Sequence, residues 1–260
     1  MCYNTNRLLY ANSMMSKTEM IKMHPYYSAN RKKYDKRLRK LFSYVRSEIW
    51  TIFLCSADDI INETASVFAN EMLPEIPFVG GKKNSNDSSN LTMCCIGATF
   101  FIVSRRHNVP DEEAGRLLHI AWEHSKKKVS PAVSRMIISM LNWKLAHKAL
   151  RSFAAKSRRF SEQYPYAWLF EYAEPDDEYS VRIYCTKCGA CKFLTEKGLG
   201  DIVPYLCNLD FVTAEKFGAP FYRNETIACG DKCCATLIKR NAPVVTDNFP
   251  PHGLRGDGLK

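Results

Sequence analysis

Apolar residues recur with helical spacing over most of residues 26–164 of this chain, and the pattern stops at Tyr164-Pro165. A fold of one secondary-structure class cannot satisfy both halves. Spacings of three and four predict helices over 34–55, 91–103, 111–127 and 131–161, with a less regular segment leading to Met72. In the longest of these, Val133, Ile137, Met140, Leu141, Leu145, Ala149 and Phe153 form a stripe that is expected to be buried on one face. Beyond residue 165, Tyr179, Val181 and Ile183 alternate with Ser180 and Arg182, the period of a strand, and a Glu-Pro-Asp-Asp turn at 174–177 joins this strand to one at 168–172. Short helices are expected at 188–197 and 204–217, closed by Gly198 and Gly218, and a second hairpin at 220–239. The expectation is an α+β fold, with N-terminal helices packed on an antiparallel sheet made of two hairpins. Its parts are an arm at 1–25, a helical part at 26–164, a cysteine-rich α+β domain at 165–241 and a Pro/Gly-rich tail at 242–260 that has too little apolar content to pack. Residues 73–90, with two prolines, paired glycines and a polar cluster, read as a loop long enough to be functional.

Charge divides at the same boundary. Residues 1–164 hold 26 Lys and Arg against 14 Asp and Glu, whereas residues 165–260 hold 11 against 13. Basic runs at 31–33, 126–128 and 158–159 could meet phosphates, but no helix-turn-helix, zinc-finger or RNP pattern accompanies them, so nucleic acid is not expected as a partner. The first 17 residues carry no apolar stretch after their charges, and the longest apolar run, at 93–103, is shorter than the ~20 residues a bilayer span needs. A cytoplasmic protein without a membrane partner is expected. Its oligomeric state is not written in these patterns.

Seven of the eleven cysteines lie within residues 185–234. In a reducing compartment such density points to metal ligation or to reactive thiols rather than to disulfides. Cys185, Cys188 and Cys191 have the close spacing that zinc or an iron–sulfur cluster uses, but no second clean C-x2-C follows, and a helix beginning near Cys188 would leave Cys185 behind on a strand. No metal site is therefore assigned. Cys207 lies in the first turns after Pro204, where helix N–H groups favour a thiolate, with Asp210 three residues on and on the same face. No P-loop, dinucleotide fingerprint or G-x-S-x-G elbow is present, and no cofactor is implied. A Cys/His dyad would have to borrow His107, His119, His124 or His147 from the helical part.

Two segments in order, LPEIPFVGG at 73–81 and VPYLCNLD followed by FYRNETIACGDKCC at 203–234, resemble the motifs of the L-2-amino-thiazoline-4-carboxylic acid hydrolases over about residues 70–240. The resemblance implies a small-molecule substrate, an amidine-containing ring opened by water with loss of a C–S bond to give an N-carbamoyl-cysteine. It further implies Cys207, Asp210, Cys188 and Cys234 as catalytic candidates, with Arg223, Gly80, Gly81 and Gly230 as substrate-binding ones. Where the family motif continues Cys-Asp-Phe, this chain has Cys234-Ala235-Thr236. A thiol-ligated zinc or iron–sulfur protein and a non-catalytic basic helical module are the competing readings.

Overall fold

The computed structural model describes residues 23–244. The arm expected at 1–25 and the tail expected at 242–260 therefore lie almost wholly outside the described residues. Helix α1 (Pro25–Phe42) starts at the proline itself, and His24 Nδ1 caps it by accepting from Tyr26 N at 3.2 Å. The helix expected at 34–55 is thus displaced toward the N-terminus. It is also broken by a 3₁₀ turn at Ser43–Val45, after which α2 (Arg46–Phe53) ends at Leu54 in the left-handed region, φ 51°.

Helix α3 (Ala57–Val67) leads through a π turn at Phe68–Met72 to the segment read as a loop. Only its first part is one. Its polar cluster is instead the opening of α4 (Ser85–Arg106), whose apolar run is buried on every side because α3 and α5 (Asp111–Ser125) flank it together with two helices from the C-terminal half. A helix apolar all round belongs at the centre of a domain, and this one is the axis of the molecule.

The single helix expected at 131–161 is two, α6 (Pro131–Met140) and α7 (Lys144–Gln163). The break resets the phase, so the predicted stripe is not one buried face. Ser134 turns inward on α6, Ile138 and Leu141 pack beside the sheet, and Val133, Met140 and Leu145 are exposed.

The sheet has the expected antiparallel form, with order β1-β2-β4-β3. Strands β1 (Leu169–Ala173) and β2 (Tyr179–Lys187) form the first hairpin. Strand β3 (Phe221–Tyr222) is far shorter than the segment 220–228 assigned to it, since the chain turns away at Arg223 and makes a 3₁₀ turn at Ile227–Cys229 before β4 (Cys234–Lys239). Helix α7 covers the free edge of β1: Ser157 Oγ accepts from Phe170 N at 2.9 Å, satisfying a donor that would otherwise invite another strand. Between the hairpins lie α8 (Gly189–Glu196) and α9 (Val203–Lys216). Gly189 is required there, because a Cβ would sit 1.8 Å from the carbonyl oxygen of Tyr166. One buried cluster runs without interruption from Tyr27 to Cys234 and joins the helices to the sheet face that carries Cys185.

Candidate active site

A cleft of about 910 Å³ opens where the two halves meet. Its back wall is α9, which presents Cys207 and Asp210, and the sheet adds Cys185 and Cys234. Cys188 and Cys94, the latter from α4, close the base, while Arg37, Lys40 and Tyr44 of the first helical segment and Trp122 and Lys126 around the end of α5 form the rim. Volume and lining suit a small ligand of mixed polarity.

Five thiols therefore share one cavity. Burial raises the pKa of each: Cys94 is pushed up to about 12, with the charge of Asp210 adding to the effect, and Cys207 and Cys185 are pushed well above the ordinary thiol value. Neighbouring Cys188 raises Cys207 further, and Arg223 opposes the shift. At neutral pH these groups are thiols. The thiolate expected from the helix-start position of Cys207 is outweighed by desolvation. Cys188 and Cys234 also have structural partners, since Cys188 Sγ caps α8 by accepting from Cys191 N at 3.4 Å and Cys234 Sγ accepts from Ile227 N at 3.3 Å. Cys207 Sγ has no such bond among the described residues.

Arg223 is 4% exposed, and its guanidinium is already engaged. Nε donates to Ala235 O at 3.0 Å, one terminal nitrogen donates to Cys207 O at 3.3 Å, and the other donates to Asp210 Oδ2 at 2.8 Å. It ties β4 to α9 and fixes the Asp210 carboxylate, which remains 61% exposed toward the cleft. Burial works against its charge and the nearby Asp210 restores it, so that the guanidinium stays protonated.

The remaining sequence candidates lie elsewhere. Gly80 and Gly81 adopt positive φ, 103° and 55°, but face Asn84 and Phe160, and Phe78 and Tyr26, respectively, rather than the cleft. Gly230, φ 92°, ends the 3₁₀ turn with open space around it. These glycines shape turns next to the site and do not line it. The segment 73–90 does reach the C-terminal half: Asp87 accepts from Trp168 N at 3.0 Å, Glu75 pairs with Lys197, and Ser89 and Asn90 line the cleft. No described histidine lines the cleft; His119 instead meets Asn208, and His147 meets the Tyr172 hydroxyl. Cys185, Cys188 and Cys191 are split between β2, the cap of α8 and its first turn, and no group of three His, Cys, Asp or Glu side chains among the described residues is placed to hold a metal ion. Arg37 and Cys94 escaped the sequence reading because only tertiary packing brings α1 and α4 to α9.

No helix among the described residues is long and apolar enough to cross a membrane. No curated protein and no solved structure matches the chain significantly. Residues 96–237, more than half of the chain and including Cys188, Cys207, Asp210, Arg223 and Cys234, match the sequence model of one family, and the chain accordingly belongs to the L-2-amino-thiazoline-4-carboxylic acid hydrolases.

Proposed function

We propose that the cleft opens the ring of a 2-amino-thiazoline-4-carboxylate or a close analogue by hydrolysis. The observation that carries this reading is the charge pattern of the lining. Among the described residues Asp210 is the one acid in it, set among Arg37, Lys40, Lys126 and Arg223. Such a lining suits a zwitterion that presents a cationic amidine at one end and a carboxylate at the other.

Asp210 receives the amidine N–H groups, and the positive charge they bring lies beside Cys207. An adjacent cation lowers a thiol pKa. The resting thiol is thereby activated only when substrate is bound. Attack of Cys207 Sγ on C2 breaks the C2–S bond, and the ring sulfur leaves as a thiol with the proton that Cys207 released. Water then adds to the same carbon and Cys207 departs, again as a thiol, leaving the carbamoyl group. The sum is one substrate and one water giving one N-carbamoyl-cysteine.

The carboxylate needs a different partner from Arg223, whose fork is held by protein oxygens. Arg37 has one weak bond, 3.4 Å to Ser89 Oγ, and is paired with no carboxylate among the described residues. Ser89 lies five residues before Cys94, a neighbour of Asp210, so about 7.5 Å of helix axis separates the two ends of the site. That is the scale of a substituted thiazoline.

The purified protein is expected to release free thiol from 2-amino-thiazoline-4-carboxylate with equimolar N-carbamoyl-cysteine, followed by thiol titration and mass spectrometry. Absence of both products sinks the reading. Arg37→Gln is expected to raise KM roughly tenfold or more, the loss of one charged hydrogen-bonding contact, with kcat nearly kept. A fall in kcat at constant KM would remove Arg37 from the role of carboxylate anchor.

A further inference from the structure

The helical turn formed by α6 and the start of α7 carries large apolar side chains that nothing described covers. Met136 is 56% exposed, Trp143 55% and Leu145 72%, with Val133 and Met140 beside them. Val133, Met136 and Met140 follow one another at spacings of three and four, on the side of α6 opposite the inward-turned Ser134 and Ile138. With Ile138 turned inward as well, α6 carries apolar residues on both its inner and outer sides, with Arg135 and Ser139 standing between them on one flank. An exposed apolar ridge opposite the packed side marks a contact surface.

The charge around this face is of one sign. Residues 126–148 contain six Lys and Arg and not one Asp or Glu. Lys127, Lys128, Arg135, Lys144 and Lys148 are all exposed. The ion pairs nearby belong to Arg151 with Glu174, Arg158 with Glu171 and Lys216 with Glu123, and none uses these five cations. Two copies meeting through the face would bring like charges together. A protein partner is the weaker alternative, since four of the five cations are lysine, which protein interfaces deplete, whereas lysines flanking an exposed Trp and Met ridge are what an interfacial helix presents to lipid.

We infer that α6 and the first turn of α7 dock the protein on an anionic lipid surface, with Met136, Met140, Trp143 and Leu145 entering the headgroup boundary and the surrounding lysines meeting lipid phosphates and carboxylates. This is a contact lying on the bilayer, not a span. The face is held in place from below: Val129 N donates to Lys216 O at 2.8 Å and Ser134 packs against Gly218, so α6 rests on the C-terminal end of α9. Phe217, at that end, also lines the cleft, which sets the docking face beside the cleft mouth.

The test is co-sedimentation of the full chain with phosphatidylcholine vesicles made with and without phosphatidylserine. Binding is expected only with phosphatidylserine, weakening at least tenfold in about 0.5 M salt as charge is screened. The combined substitution Lys127→Gln, Lys128→Gln, Lys144→Gln and Lys148→Gln is expected to abolish it. Trp143 fluorescence should shift to the blue on binding, and Trp143→Phe should remove that shift. Equal binding to both vesicle types, or sedimentation unaffected by the lysine substitutions, overturns the proposal. So does a chain that binds no vesicle but is a dimer that Met136→Ser and Met140→Ser make monomeric, or one that binds duplex RNA instead.

Discussion

Asp210→Asn is expected to lower kcat/KM for 2-amino-thiazoline-4-carboxylate by about 10³ or more, with a folded protein left behind. The asparagine keeps an oxygen for the terminal nitrogen of Arg223 that Asp210 Oδ2 now accepts from at 2.8 Å, so the tie between α9 and β4 survives. What disappears is the negative charge proposed to hold the amidine beside Cys207. Without that ligand charge the buried thiol stays protonated, because desolvation holds its pKa well above the ordinary value. Cys207→Ser is expected to cost as much, since a hydroxyl is a poorer nucleophile than an activated thiol and the change in volume is small. Steady-state kinetics with intact-mass analysis of quenched reactions checks both, a covalent adduct on Cys207 being expected in the parent and absent from the variants. A fully active Cys207→Ser accompanied by an inactive Cys188→Ser or Cys234→Ser would transfer the role to one of those thiols.

Arg223→Met is expected to be the most damaging single change to stability near the site. The buried carbonyl oxygen of Ala235 loses its donor, and that of Cys207, which keeps its bond inside α9, loses a second one. An orphaned buried acceptor costs about 1–3 kcal/mol, so a loss of about 2 kcal/mol and a Tm lower by roughly 6 °C are expected from denaturant and thermal melts. Asp210 adds little to that sum because it is exposed enough for water to solvate it. Arg223→Lys should fall between, as one ammonium cannot span three partners. The same variants distinguish a positioning role from direct substrate binding. If Arg223→Met melts like the parent yet no longer binds substrate, the guanidinium is the carboxylate clamp that the sequence motif suggested, and Arg37 is not.

Elements whose signals are local were legible in the sequence. The β1–β2 hairpin, the glycine-ended helices before Gly198 and Gly218 and the start of α5 at Asp111 all follow from alternation, turn residues and caps. Boundaries failed where two local signals conflict. The polar residues 85–90 resemble a loop, yet they open α4, because Asn84 and Asp87 bond each other and Asp87 meets Trp168 N. The apolar period from Val133 to Phe153 continues across a break at 141–143 that spacing alone does not reveal. At the site, the Cys207 and Asp210 pairing was readable because it spans three residues of one helix. The state of Arg223 was not: a strand arginine reads as exposed until the fold supplies Ala235 O and Cys207 O as acceptors. Cys94 was hidden for the opposite reason, as one apolar residue in a run that looks wholly internal.

The first helix supplies Arg37 and Lys40 to the cleft rim, yet it lies outside the residues that carry the family signature. On the proposed reading, the reacting groups and the anchor for the substrate carboxylate are thereby encoded in separate stretches of one chain, joined only through packing. Selection can change one stretch while the other stands still. Drift in α1 would retune which anionic substituent is admitted without disturbing Cys207 or Asp210, and α1 is the segment to randomise in a library meant to move this scaffold to a new substrate.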